Sequence, residues 1–377
     1  ASLYTFGASA TGLYEITIRY REGADPATLL ANLSSVATAP VREDLAKASS
    51  SYWTKQLNTM MTNGPFAIRS MNYETGEFAV RRNIGYHQKT TEVNYVKKVT
   101  PEFLASFWVE NVGKVDLNYA VIENNTLFFI GNASTPMSEG NDLLADRKEN
   151  AKRATVVDTL STYTYVFNTE NPLFADKNVR RALSLALDRE EMAKAITFAK
   201  AATGFLPDTV IDTATGKTFR KDTLLGTGAD LTAARAALAA AEIPAEVARA
   251  FTLTVQDDAE NRALAALAKA AWEELGFTVT VKYAQPVTHK VYDVSTGAEV
   301  TITDSGMQTL IKEASVGKRD FDIIGLDWQM YSRDAMVALS AFTSDRNGNG
   351  TADLHGTPAY RTSIGGYANT EYDKLIS

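Results

Sequence analysis

From residue 230 onward the chain alternates between two hydrophobic periods, and this limits its fold more than any other feature. "LTAARAALAAAEI" has helical spacing, and "FTLTVQD" reads as a strand. Residues 259–275 read as a helix with Leu264, Leu267, Ala271 and Leu275 on one face, stopped by Gly276. Then come the strand "FTVTVKYA", the helix "MQTLIKEASVG" and the strand "DFDIIGLDW". Strands joined through helices run parallel, and their crossovers are right-handed. The carboxyl-terminal part is therefore expected to be an α/β unit.

The amino-terminal part reads differently. "LYEITIRY" (13–20) alternates as a strand, and "DPATLLANLSSVAT" is a helix with Asp25 as cap and Pro26 at its first position. "PVREDLAKA" is a short helix. A hairpin spans "NGPFAIRSMNYETGEFAVRRN", with Phe66, Ile68 and Met71 on one arm, Phe78 and Val80 on the other and "ETGE" as the turn. Residues 92–99 read as a strand, "TPEFLASFWVENVG" as a helix and "VDLNYAVIE" as a strand.

The middle of the chain is the densest in local signals. In the strand "TYTYVFN", Tyr163 and Tyr165 share one face, and Thr162, Thr164 and Val166 the other. Val179, Ala182, Leu183, Ala186 and Leu187 follow at helical spacing, with Asp176 placed to cap the start. Asp188 is placed to cap the next helix, with Glu191 three residues on. Residues 207–228 read as a polar surface loop.

Chemistry is sparse by comparison. A net charge of −7 and the lack of a basic stripe argue against nucleic acid, since Lys97 and Lys98 form only a short patch. With no cysteine, disulfides, thiolate metal sites and cysteine nucleophiles are excluded. No apolar run approaches a membrane span. His87, His289 and His355 show no ligand spacing. Ser315 and Lys318 make a lone SxxK without its partner motifs. Asp257 and Asp258 fit a loop after a strand, although a glycosidase pair is defined by spatial rather than sequence distance. One stretch is metal-like: in "DRNGNGTAD", Asp345, Asn347, Asn349 and Asp353 sit at calcium-loop positions 1, 3, 5 and 9, with Gly350 at position 6. Position 12 is Gly356 instead of the bidentate Glu, and the competing reading is a plain Asn-Gly turn.

The block "YTYVFNTENPLFADKNVRRALSLALDRE" resembles that of the family 5 extracellular solute-binding proteins, the oligopeptide- and dipeptide-binding receptors of bacterial ABC importers. It carries Phe167, Asn168, Pro172, Phe174, Val179, Arg180, Ala182, Leu183, Asp188 and Arg189 at the matching places. "NGPFAIRS", "VRRNIGY", "FWVENVGKVDLNYAV", "AWEELGFTVTV", "DFDIIGLDW" and "NTEYDKLI" follow in the family's order.

The resemblance implies an α/β fold of two lobes around a cleft, periplasmic-binding-protein-like and of the class II type, joined by crossing hinge strands. It assigns residues 1–60 to a subdomain appended to the first lobe, 61–168 to first-lobe core and 169–377 to the second lobe. It also implies missing amino- and carboxyl-terminal parts, the chain being an internal fragment of a longer lipoprotein, extracytoplasmic or periplasmic. The implied function is capture of oligopeptides in the cleft, closure by hinge motion and delivery to the importer's membrane permease, by a monomer without catalysis. Sugars, nickel complexes or haem are alternative solutes, and a cleft hydrolase is the alternative activity.

In peptide-binding members a Trp-x-x-Asp after the "FDI" strand anchors the ligand's amino terminus. This chain keeps Trp328 but has Tyr331 where that Asp belongs, with Asp327 and Asp334 nearby as substitutes. Tyr163 and Tyr165 are further ligand candidates beside the hinge, with lobe core as the competing reading. Arg180 and Arg181 are expected to tie their helix to neighbouring carboxylates.

Overall fold

The computed structural model describes residues 5–20, 26–34, 38–48, 53–54, 59–71, 78–87, 102–105, 158–196, 198–212, 215–221, 223–293, 298–330, 332–344 and 363–376. The chain divides into two compact units: one holds Ala1–Ala39, Ala133–Pro286 and Ser305–Ser377, the other Pro40–Asn132 and Val287–Asp304.

The hairpin β1 (Thr5–Gly12) and β2 (Glu15–Tyr20) comes first, followed by α1 (Pro26–Leu33). Leu13 and Tyr14, expected within a strand, instead form the turn between β1 and β2 and are exposed. Next come α2 (Glu43–Ala48), β3 (Phe66–Met71), β4 (Phe78–Arg82) and β5 (Glu102–Ala105). The three strands form one antiparallel sheet in the order β3-β4-β5. The predicted hairpin is therefore present, but the helix expected from residue 100 is corrected at Glu102–Ala105. Those residues pair with Phe78–Arg81, and sheet pairing overrides local helical preference.

The remaining elements are β6 (Ser161–Phe167), α3 (Pro172–Ala175), α4 (Lys177–Leu185), α5 (Arg189–Ala193), α6 (Leu231–Ala239), β7 (Ala250–Gln256) and α7 (Ala259–Glu274). After them come β8 (Thr278–Ala284), β9 (Val287–Asp293), β10 (Ala298–Asp304), α8 (Gly306–Ala314), β11 (Ile323–Gln329), α9 (Ala335–Leu339) and α10 (Thr370–Ile376). β9 and β10 form an antiparallel hairpin.

A four-stranded sheet in the order β6-β11-β7-β8 organises the first unit. β7 runs parallel to both β8 and β11, as the alternation predicts, while β6 is antiparallel to β11. Alternating side chains divide two cores. Phe251, Leu253, Val255 and Ile323 face Val179, Leu183, Ala268 and Trp272 on one side. Val166, Ile324 and Leu326 face Met307 and Ala314 of α8 on the other. All five apolar positions predicted for the helix after β6 are buried. Of the positions predicted for α7, Leu264 and Leu275 are buried and Leu267 and Ala271 are half-buried, while Ala265, Ala268 and Trp272 complete the buried face.

The exit of β6 is fixed by long-range polar contacts. Asn168 donates from its backbone to Asp322 O (2.9 Å) and from Nδ2 to Phe321 O (3.0 Å). Asp322 accepts from Asn171 Nδ2 (2.7 Å) and Thr252 N (2.8 Å). The almost fully buried Arg319 guanidinium donates to Ser363 O, Ile364 O and Glu170. Arg180 is corrected: it donates to the carbonyls of Phe174 (2.5 Å) and Ala175 (2.9 Å), closing α3 rather than pairing with a carboxylate.

Candidate functional site

The crossover through α7 carries the chain from β7 outward to β8. The return through α8 sets β11 on the other side of β7. The strand order thus reverses between β7 and β11. In open α/β sheets, ligands bind outside the carboxyl ends of the strands at such a reversal. Here those ends are Gln256 and Gln329, and the start of antiparallel β6 lies at the same edge, opposite the end of β11. In register, Tyr163 faces Asp327, Thr162 faces Trp328 and Ser161 faces Gln329.

The two tyrosines lean onto α7. The Tyr163 hydroxyl donates to Asn261 Oδ1 at 2.6 Å. Asn261 in turn donates from its backbone N and from Nδ2 to Asp258, at 2.8 Å each, the contact that caps α7. Burial foremost, then the charges of Asp258 and Asp327, push the Tyr163 phenol well above its ordinary range. Tyr165 donates to Leu264 O (3.1 Å) and meets Trp272 edge-on, with ring centroids 5.2 Å apart. Its phenol is also pushed well up by burial. Both hydroxyls are thus engaged in packing β6 against α7.

The aspartates that look interchangeable in sequence differ in place. Asp334 is buried and caps α9, accepting from Met336 N at 3.0 Å. Asp327 is exposed at the end of β11, with Gln329 Nε2 at 3.4 Å from Oδ2. Trp328 points to the opposite face of the sheet. It stacks on Phe342 (5.2 Å, 23° between planes) and meets Phe205 edge-on (5.4 Å, 77°), above a cluster of Leu206, Val210, Met330, Ala335 and Ala338. The sheet edge therefore separates Asp327 from Trp328.

Tyr331 lies outside the described residues, as do Asp345, Asn347, Asn349 and Asp353 of the calcium-like run, and His355. His289 stands 3.5 Å from Asp304. Among the described residues no three histidines or carboxylates converge as a metal site.

Three polar residues at this edge escape sequence reasoning. Ser305, before α8, shares a 2.9 Å hydrogen bond with Gln256 instead of capping its own helix. Gln329 stands beside Asp327. Their signal was positional: each lies at the end of a strand or the start of a crossover helix, where α/β sheets collect functional groups.

The family model for bacterial extracellular solute-binding proteins, family 5 Middle, matches residues 2–350. The dipeptide-binding protein DppE of Bacillus subtilis (strain 168) is 26% identical over 173 residues, covering 45% of this chain and 27% of DppE. The substrate-binding domain of an oligopeptide ABC transporter from Bacillus anthracis str. Ames superposes with a TM-score of 0.68 at 19% identity, over 98% of this chain and 62% of that one. The murein tripeptide binding protein MppA of Escherichia coli gives 0.67 at 20% identity, over 98% and 62%. The chain thus spans under two thirds of the length of these relatives. At such identities the superpositions establish the fold, which is the α/β fold of the two-lobed solute-binding proteins.

Proposed function

Because the chain belongs to the bacterial extracellular solute-binding proteins of family 5, we propose that it is the receptor part of an ABC importer that captures peptides outside the cytoplasm and hands them to a membrane permease. The observation that carries this reading is the family match over residues 2–350. The dipeptide-, oligopeptide- and tripeptide-binding descriptions of its relatives support peptide as the solute. The family consists of binding proteins, which supports capture without chemistry. No helix among the described residues is long and apolar enough to cross a membrane. Retention as a lipoprotein or in a periplasm, action as a monomer and closure by hinge motion belong to the same proposal.

Within the first unit, the proposed ligand edge is the strand reversal, with Asp327 as its exposed charge, while Trp328 packs on the opposite face against Phe205 and Phe342. A peptide there is held chiefly through its backbone, with side chains in wet pockets. The site accordingly needs few specific side chains.

Native mass spectrometry of the protein purified without denaturation tests the reading. The expected result is peptide adducts, exchangeable with an added library of di- to pentapeptides. Adducts of sugar, nickel complex or haem with no peptide exchange would overturn the peptide assignment. Turnover of a glycoside would overturn the absence of catalysis.

A further inference from the structure

We infer that the groove between α5 and α7 is a second binding site, for small primary amines that carry one ring or one branched alkyl group. It lies apart from the proposed peptide edge and does not depend on the receptor reading. Asn261, which holds Tyr163 near the strand reversal, lies about 15 Å back along α7 from Ala271, at the floor of the groove.

Helical spacing places Leu267 and Ala271 on the core face of α7, yet both are only half-buried. The reason is a cavity of 210 Å³ over them, with Leu187, Met192 and Leu231 completing its apolar lining. Hydrogen bonds to backbone carbonyls, rather than side chains meeting across the mouth, set its walls. Trp272 Nε1 holds α7 to Leu183 O at 2.9 Å, and Asp230 N holds the start of α6 to Leu185 O at 2.9 Å. Arg189 N holds the start of α5 to Thr227 O at 2.7 Å. An apolar cavity of about 150 Å³ accepts one benzene ring, so this groove has room for a ring or a branched alkyl group and little more.

Three carboxylates stand at the mouth: Asp188, Glu191 and Glu274. Glu191 pairs with Lys194 at 2.5 Å and Glu274 with Arg235 at 3.2 Å. Asp188 forms no ion pair among the described residues. Its Oδ1 accepts from Glu191 N at 3.0 Å, which leaves Oδ2 for a ligand. An apolar cavity with a spare carboxylate at its mouth suits an ammonium on a short apolar stem. An acid there would meet three like charges, and a neutral solute would forgo the ion pair. A protein partner would need a contact of roughly 800 Å² on this side. The surface around the groove instead carries the exposed pairs Glu191–Lys194, Arg235–Glu274 and Lys269–Glu273 rather than a continuous apolar patch.

NMR of the whole protein, labelled at its methionine methyls, tests the inference. Met192→Leu identifies the Met192 signal, and phenethylammonium is the probe. The expected result is a saturable shift of that signal with a Kd on the order of 1 mM, unchanged by excess trialanine. Phenethyl alcohol, which has the same ring without the charge, should bind about 3- to 10-fold more weakly. Asp188→Asn should weaken the amine by that factor and leave the alcohol unchanged. Asparagine caps a helix about as well as aspartate, so α5 keeps its cap. Ala271→Leu, which fills the cavity, should weaken both probes, and the Asp188→Asn comparison decides by itself where that variant does not fold. A Met192 signal that the amine does not move would overturn the inference. Equal affinity for amine and alcohol, or displacement of the amine by trialanine, would overturn it too. Near-identical melting temperatures would verify that the variants are folded.

Discussion

The carboxylate of Asp176 serves two elements at once. One oxygen accepts from Asn178 N at 2.6 Å and caps α4, while the other accepts from Glu242 N at 2.7 Å, beyond the end of α6. These bonds, that from Glu242 foremost, hold the carboxyl below the usual carboxylate range. A depressed folded-state pKa means stability present above the ordinary carboxylate pKa and lost as pH falls below it. Asp176→Ala is expected to cost about 1–2 kcal/mol at pH 7, with the gap to the unaltered protein narrowing below about pH 4. Urea unfolding of both proteins at pH 7 and pH 3.5 measures this, and a gap that widens in acid would refute it. Asp176 and Asp188 were legible in the sequence because a cap reaches only two or three residues ahead. The partners of Tyr165, by contrast, lie almost a hundred residues away on α7, so nothing beside it in the chain announced them.

Elements show the same division. The helix after β6 was placed correctly because its polar residues leave one apolar face, whereas α7 is rich in alanine on several faces and periodicity does not single one out. What fixes the face of α7 is Trp272, fully buried and donating from Nε1 to Leu183 O at 2.9 Å. That bond joins α7 to the end of α4, a tertiary fact with no local signature. The run Asp345–Asp353 poses the reverse problem, since its pattern is clear and its structure lies outside the described residues. The residue before it is well anchored: Ser344 donates from its backbone N (2.9 Å) and its hydroxyl to the buried Asp373. A loop with four side-chain oxygen positions but no bidentate Glu is expected to bind calcium weakly, with a Kd on the order of 10⁻⁴–10⁻³ M. Thermal unfolding with 10 mM calcium against 10 mM magnesium tests this, with Asp345→Asn as control. The expected outcome is a calcium-selective rise in Tm that the variant lacks, and an equal response to both cations would exclude the site.

At the scale of the molecule, the parallel β7-β8-β11 arrangement could be read in advance because alternating periods leave few right-handed topologies. The antiparallel placement of β6 beside β11 could not, because a strand's neighbour depends on chain far from it. The packing that results buries hydroxyl-bearing rings. Burial pushes the phenols of Tyr163 and Tyr165 well up and that of Tyr372 to about 12, with Tyr372 donating to Leu339 O at 2.8 Å. For an acid whose folded-state pKa is raised, the stabilising difference is complete below the unfolded value, near 10, and is lost as pH rises through the folded value. Stability is therefore expected to fall between about pH 10 and 12, beyond any loss from lysine deprotonation. Absorbance at about 295 nm should show a group of tyrosines lagging behind the ordinary phenol pKa, near 10, until the fold is lost. Tyr372→Phe should shrink the lagging group and flatten the alkaline decline, because the unfolded chain then gains one fewer phenolate. A single titration step near pH 10 with the native circular dichroism intact would show that these rings are not held as the packing requires.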